Sequence, residues 1–277
     1  MKRVNNLLIR NLKFDELWEW DESSKGKYDK QGWDFITVDM TSDNVWIDHC
    51  TFTKAYDGVV DVKGGTKNVT ISWSSFVADG GGPNSFVRNQ VEALEANRAA
   101  YAMYDFLRSA GFSTEEIIAV SRSQKKGHLV GANEFDTPNA NHRLTLHHNY
   151  YLNMQDRLPR LRGGDAHAFN IYLNNAQALS AKDLRNARVA AMSSTNAAKL
   201  TGSNATYSFD VTLNGSISTE GGAVLLEKSQ LVDVLSPVRN NQVSASQPEY
   251  TGKILALDTL HSLRGSVFRG DWLKTSY

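Results

Sequence analysis

A nine-residue pattern recurs along this chain and restricts what it can fold into. NLLIRNLKF (residues 6–14), NVWIDHCTF (44–52), NVTISWSSF (68–76) and RLTLHHNYY (143–151) each carry apolar residues at the second and fourth positions and an aromatic at the ninth. Alternation at period two describes a strand with one face turned inward. The second and third copies start 24 residues apart, about the length of one coil of a parallel β-solenoid. Residues 127–135, 165–173 and 222–231 read as weaker copies. One such unit cannot bury its own apolar face; stacked on its neighbours it contributes to one continuous core. An antiparallel β-sandwich also alternates, but it calls for strands every 8–12 residues with hairpin signals between them, and the spacing here is wider. The expected fold is therefore all-β: a right-handed parallel β-helix, a single-stranded solenoid, as one domain over residues 1–277. Solenoids need capped ends, and the first copy begins at Asn6, so the expected domain lacks its N-terminal cap.

One stretch departs from the pattern. Ala99, Met103, Phe106 and Ala110 fall on one helical face within residues 86–110, and Gly111 ends that run. Ser113 and Glu116 then have capping-box spacing ahead of Ile117 and Ile118. This predicts a helical insertion near residues 79–122, entered through Gly80, Gly81 and Gly82. The Ser/Thr/Asn-rich residues 193–219 read as a long loop.

Charge narrows the partners. Thirty basic residues balance thirty acidic ones, which gives no basis for nucleic-acid binding. No apolar run approaches the ~20 residues of a membrane helix. Cys50 is the single cysteine, so no intrachain disulfide forms. No signal peptide is visible at the start of the chain.

Two groups of residues invite chemistry. Asp34 precedes the second full copy of the repeat, while Asp57 and Asp61 precede the third. On a solenoid, equivalent residues of adjacent coils lie ~4.8 Å apart. Carboxylates that close repel unless a cation sits among them, and oxygen-only ligands suit calcium rather than zinc. Scattered turn aspartates are the other reading, and the residues alone leave both open. Arg157, Arg160 and Arg162 fall within six residues, and Lys125 and Lys126 precede another strand-like segment. Such cations bind carboxylates; a solvated basic loop is the alternative, although Pro159, Gly163 and Gly164 argue for a fixed turn. His49, His147, His148 and His167 have no zinc spacing and read as core or turn-stacking residues.

Taken in order, VWIDHCTF (45–52), DGVVDVKG (57–64), NVTIS (68–72), KGHLVG (126–131), LTLHHNYY (144–151) and RLPRLRGGDAH (157–167) resemble the signature segments of pectate lyases of polysaccharide lyase family 1. The resemblance runs from about Asn6 to Asn175. It implies a secreted enzyme that cleaves polygalacturonate by calcium-assisted β-elimination to unsaturated oligogalacturonides. It also implies roles: Asp34, Asp57 and Asp61 as calcium carboxylates, Lys126, Arg162 and Lys63 as substrate-binding cations, and Arg157 as the catalytic base. Some family members carry a further aspartate where this chain has Gly32. The helical insertion is unusual beside that pattern. Two other functions fit the fold, a pectin lyase acting on methylated pectin without calcium and a non-catalytic β-helix that binds acidic polysaccharide. The acids weigh against the first, and the acids together with Lys126 and Arg157 weigh against the second.

Overall fold

A computed structural model describes residues 1–22, 32–213, 217–240 and 252–275. The repeat forms the coils of a parallel β-helix. In each copy a first strand ends at the fifth residue or so, the sixth turns the corner, and a second strand follows. The corner residues Asn11, His49, Trp73 and His148 take left-handed φ values of 58°, 51°, 47° and 54°. The first strands are β1 (Asn5–Arg10), β4 (Asp43–Asp48), β7 (Val69–Ser72), β10 (Arg143–His147), β13 (Asp165–Phe169), β16 (Ala223–Glu227) and β19 (Lys253–Leu263). They stack in that order, in parallel. The second strands, β2 (Lys13–Leu17), β5 (Thr51–Ala55), β8 (Ser75–Val77), β11 (Tyr150–Leu152), β14 (Tyr172–Asn174) and β17 (Gln230–Val232), stack beside them. Between coils the chain passes through a second sheet of β3 (Ile36–Val38), β6 (Val60–Val62), β9 (Leu129–Val130), β12 (Arg160–Leu161), β15 (Ile217–Thr219) and β18 (Val238–Asn240). A final strand, β20 (Ser266–Thr275), pairs antiparallel with β19.

Register explains the repeat. Val45 pairs with Val69 and Val69 with Leu144; Ile47 pairs with Ile71 and Ile71 with Leu146. All six are buried in the solenoid core. The ninth-position aromatics Phe14, Phe52, Phe76 and Tyr151 form one column, with successive centroids 4.8, 4.9 and 4.8 Å apart and rings within 13° of parallel. The corner backbone inside the core is also satisfied. Asn149 accepts from the Ser74 N–H at 3.0 Å and donates to Ile71 O at 2.9 Å, and Ser74 Oγ accepts from the Cys50 N–H at 3.0 Å. Two weaker copies are realised as β13–β14 and β16–β17. Residues 127–135 are not a copy: only Leu129–Val130 is a strand there, it belongs to the second sheet, and Gly131 turns away at φ 93°.

The helical insertion exists, but its first helix is not continuous. α1 (Phe86–Ala96) ends at Asn97, a 3-10 turn spans Arg98–Ala100, and α2 (Ala102–Ser109) starts afresh. Arg98 folds back onto Asp105 at 2.6 Å and Ser109 at 2.6 Å, which compensates the break. α3 (Thr114–Ser121) opens with the expected Ser113–Glu116 capping box. A second excursion, between β14 and β15, carries α4 (Ala176–Ala190) and α5 (Ser194–Ala198). Residues 193–219 are thus not simply a loop, since they hold α5 and end in β15; residues 214–216 lie outside the described residues. The two excursions share a second hydrophobic core that includes Trp18, Trp20, Tyr56, Leu107, Phe112, Ile117, Leu179 and Phe209. Glu22 braces it by accepting from the Met103 and Tyr104 N–H groups at the start of α2, both at 2.9 Å.

Lys54, in β5, fastens this helical lobe to the solenoid. It is buried, donates to Ser121 O at 2.6 Å and Ser123 O at 3.0 Å, and lies 4.7 Å from the centroid of the Trp18 ring. Burial pushes its pKa from 10.5 down to about 7, against the opposing pull of Asp79. The unfolded chain therefore holds this proton over a range where the folded protein has released it. The stability contributed by Lys54 rises as pH climbs from about 7 toward 10.5 and is lost below that window. Replacing Lys54 by Met should flatten this rise: the melting temperature of the parent should gain on that of the variant between ~pH 7 and ~pH 10, and parallel profiles in calorimetry would refute the assignment.

Candidate active site along the second sheet

The residues singled out in the sequence converge on one edge of the second sheet because they hold similar positions in successive coils. Asp34 lies two residues before β3, Asp61 is within β6, Lys126 lies three residues before β9 and Arg157 three before β12. These four strands are neighbours.

Asp34 and Asp61 face each other across Gly58. A Cβ at residue 58 would overlap Asp61 Oδ1 and lie 2.9 Å from Asp34 Oδ1, so only glycine leaves the space between the two oxygens open. The Gly58 N–H donates to Asp34 Oδ1 at 2.9 Å and the Leu129 N–H to Asp61 Oδ1 at 3.1 Å. Lys63 lies 3.4 Å from Asp34 and 3.1 Å from Asp61. Burial first, and then the charge of Asp34, raise Asp61 above the usual carboxylate range. Lys63 loses some proton affinity to burial but gains more from Asp61 and Asp34, for a net rise. One ammonium thus serves two buried carboxylates. An open space between oxygen donors that carry excess negative charge fits an oxygen-seeking cation. Asp57 is not part of this pair. Its carboxylate is ion-paired with Lys126. Among the described residues no three acids, histidines or cysteines converge on one point; the expected trio is assembled as a pair plus a separate ion pair.

The three arginines differ. Arg160 and Arg162 both pair with the buried Glu220, Arg162 at 2.6 Å, and Arg162 also donates to Ala132 O at 2.6 Å. Arg162 Nη2 makes no hydrogen bond among the described residues. The Arg157 guanidinium has neither a hydrogen bond nor an ion pair among them. Its backbone, by contrast, is firmly held. Arg157 has φ 68°, its N–H donates to Asp156 Oδ1 at 2.8 Å, and its carbonyl accepts from the His128 N–H at 2.6 Å. A Cβ at Gly127 would overlap that carbonyl and lie 2.7 Å from Leu158 Cδ2, which explains the glycine after Lys126. Sequence reasoning missed Glu220, 58 residues beyond Arg162, and Trp33. Trp33 is 43% exposed beside Asp34, with its ring packed edge-on against the buried Tyr56 at 5.5 Å. Two of the four histidines stack at corners: His49 and His148 flank Trp73 with centroids at 6.1 and 4.2 Å, whereas His147, at the end of β10, stacks on Phe169, and His167, within β13, pairs with Glu227 at 2.7 Å.

Comparison with known proteins identifies relatives of the whole chain. A family model described as pectate lyase matches residues 113–247. Pectate lyase B of Paenibacillus amylolyticus is 56% identical over 240 residues, which cover 86% of this chain and 59% of that protein. The solved structure of a pectate lyase from Paenibacillus sp. 0602 matches with a TM-score of 0.88 at 56% identity, covering 98% of this chain and 59% of that one. The chain belongs to the pectate lyase family. A pectate trisaccharide-lyase of Thermotoga maritima is 30% identical over 173 residues, 61% of this chain and 34% of that protein. The chain therefore spans about three fifths of the first of these pectate lyases and a third of the last. No helix among the described residues is long and apolar enough to cross a membrane.

Asp61 gives a direct test of whether this acid pair holds a cation. Asp61→Asn removes one of two crowded buried charges while keeping an acceptor for the Leu129 N–H. In chelator the variant should melt no lower than the parent. Calcium should raise the melting temperature of the parent and leave that of the variant unmoved; an equal calcium response in both would exclude Asp61 as a ligand.

Proposed function

We propose that this chain carries the cleft of a calcium-dependent pectate lyase that acts outside the cell, cleaving α-1,4-polygalacturonate by β-elimination to 4,5-unsaturated oligogalacturonides. The observation that carries the reading is the contrast among the cations: among the described residues Arg157 alone of the three arginines has an uncommitted guanidinium, on a rigid backbone two strands from Asp61. Asp34 and Asp61 are the residues that would hold calcium, and Asp57 joins them if Lys126 leaves it. Calcium, when bound, supplies a Lewis acid that draws electron density from the galacturonate carboxylate and so acidifies the adjacent C5 proton.

The remaining work falls to side chains. Lys126 exchanges Asp57 for a substrate carboxylate, and Arg162 offers Nη2 to another while Glu220 holds its Nε. Both place positive field where negative charge develops. Lys63 stays with the acid pair and limits its repulsion. Arg157 takes the C5 proton; the released pair forms the C4–C5 double bond, and the C4–O bond breaks with its electrons on the leaving oxygen, which is then protonated. The buried acid pair also speaks for free carboxylates over methyl esters, because an ester is a poor partner for a cation held by two aspartates.

A guanidine accepts a proton only in its neutral form, and free guanidinium stays charged to above about pH 12. Activity should therefore rise toward alkaline pH, followed by the ultraviolet absorbance of the unsaturated product. Arg157→Lys should lower kcat by about 10²–10⁴-fold, the usual weight of a positioned base, with KM little changed. Near-normal turnover by this variant, or saturated products from the parent, would overturn the mechanism.

A further inference from the structure

The helical lobe reaches the cleft through one buried side chain. Gln124 follows the exit from the first helical excursion and is fully buried. Its Nε2 donates both hydrogens to backbone carbonyls, those of Asp57 at 2.9 Å and Lys126 at 3.0 Å. These carbonyls belong to the two residues whose side chains form the ion pair at the cleft. No backbone N–H donates to either carbonyl among the described residues. The Gln124 backbone is itself pinned, donating to Asn153 O at 3.0 Å and accepting from the Gln155 N–H at 2.9 Å.

The anchorage continues into both excursions. Gln155 donates to Ser123 Oγ at 2.6 Å and accepts from the Thr212 N–H at 2.7 Å, and Ser123 O receives the buried Lys54. The first excursion, the second excursion and the solenoid therefore meet at Gln124 and its bonded neighbour Gln155. A primary amide is planar, and its two N–H bonds diverge at a fixed angle, so donating both fixes two carbonyls relative to each other. Here those carbonyls come from adjacent coils. Gln124 Oε1 is buried without a partner among the described residues. Because a buried unpaired acceptor is costly, the side chain is present for its two donors and not for its oxygen.

We propose that Gln124 is a positioning residue that sets the separation of Asp57 and Lys126 and so couples the docking of the helical lobe to binding of a galacturonate carboxylate at Lys126. The proposal rests on the lyase reading only in taking Lys126 as a carboxylate ligand. It differs from a purely structural role in one respect: the effect of Gln124 on substrate passes through Lys126.

A double-mutant cycle tests it. Four proteins, all carrying Arg157→Lys to prevent turnover, are compared: the base protein, Gln124→Met, Lys126→Ala and the double variant. Tetragalacturonate binding is measured by calorimetry in calcium, and melting is followed in parallel. Gln124→Met should weaken binding about tenfold, in the range of supporting residues one step removed from a ligand. In the Lys126→Ala background the same change should cost less than about twofold, while the drop in melting temperature stays equal in both. Equal losses of affinity in the two backgrounds, or none in either, would overturn the proposal. Activity of the unmodified parent is assayed separately. If it releases no unsaturated product the lyase mechanism fails, and the binding cycle still decides on Gln124. If the base protein binds no tetragalacturonate, both ideas fall.

Discussion

Everything in this structure depends on one coil sitting one strand spacing above the last. The ring separations in the column from Phe14 to Tyr151 equal that spacing, so aromatic stacking and backbone pairing are satisfied by the same rise. The coincidence holds only if each coil presents a residue of the same class at the same place, and this is why the nine-residue pattern recurs. A residue placed at one position of a coil then has its counterpart in the next coil as a neighbour. Asp34, Asp61, Lys126 and Arg157 are separated by up to 123 residues and share one sheet edge for that reason.

The helical excursions obey different rules. They leave the solenoid at points where the second sheet resumes and bury each other, and the segment through Trp18 and Trp20 closes over them. Two hydrophobic cores lie side by side, joined by buried polar groups. Lys54, Gln124 and Gln155 each cross this boundary with hydrogen bonds to backbone or side-chain partners on the other side. Buried donors with fixed partners specify how two bodies dock in a way that apolar packing does not.

Along this edge of the second sheet, charge is distributed unevenly. Two carboxylates share one ammonium on the side of Asp34 and Asp61, while Arg160 and Arg162 converge on Glu220, with Glu134 a further 3.7 Å from Arg162. Arg157, three residues before β12, has no side-chain hydrogen bond or ion pair among the described residues. Glycines make the arrangement fit: Gly58 opens the space between the acids, and Gly127 lets the Arg157 backbone pass.

Strand periodicity, the coil length, the capping box of α3 and the family-like segments were all legible in the amino-acid sequence, because each is set by residues within about one coil of each other. The corner-stacking histidines were legible for the same reason. The break after α1 was not, since it depends on Arg98 folding back onto Asp105 and Ser109; α4 was passed over although its Ala-, Leu- and Arg-rich residues favour helix. The grouping of the acids was likewise undecided: sequence placed Asp34, Asp57 and Asp61 within reach of one another, and only the folded chain drew Asp57 to Lys126. Which arginine is left uncommitted depended on Glu220, distant in sequence and adjacent in space. A repeat determines where each residue lies along a coil; ion pairing depends on distances and burial in three dimensions, which only the stacked coils supply.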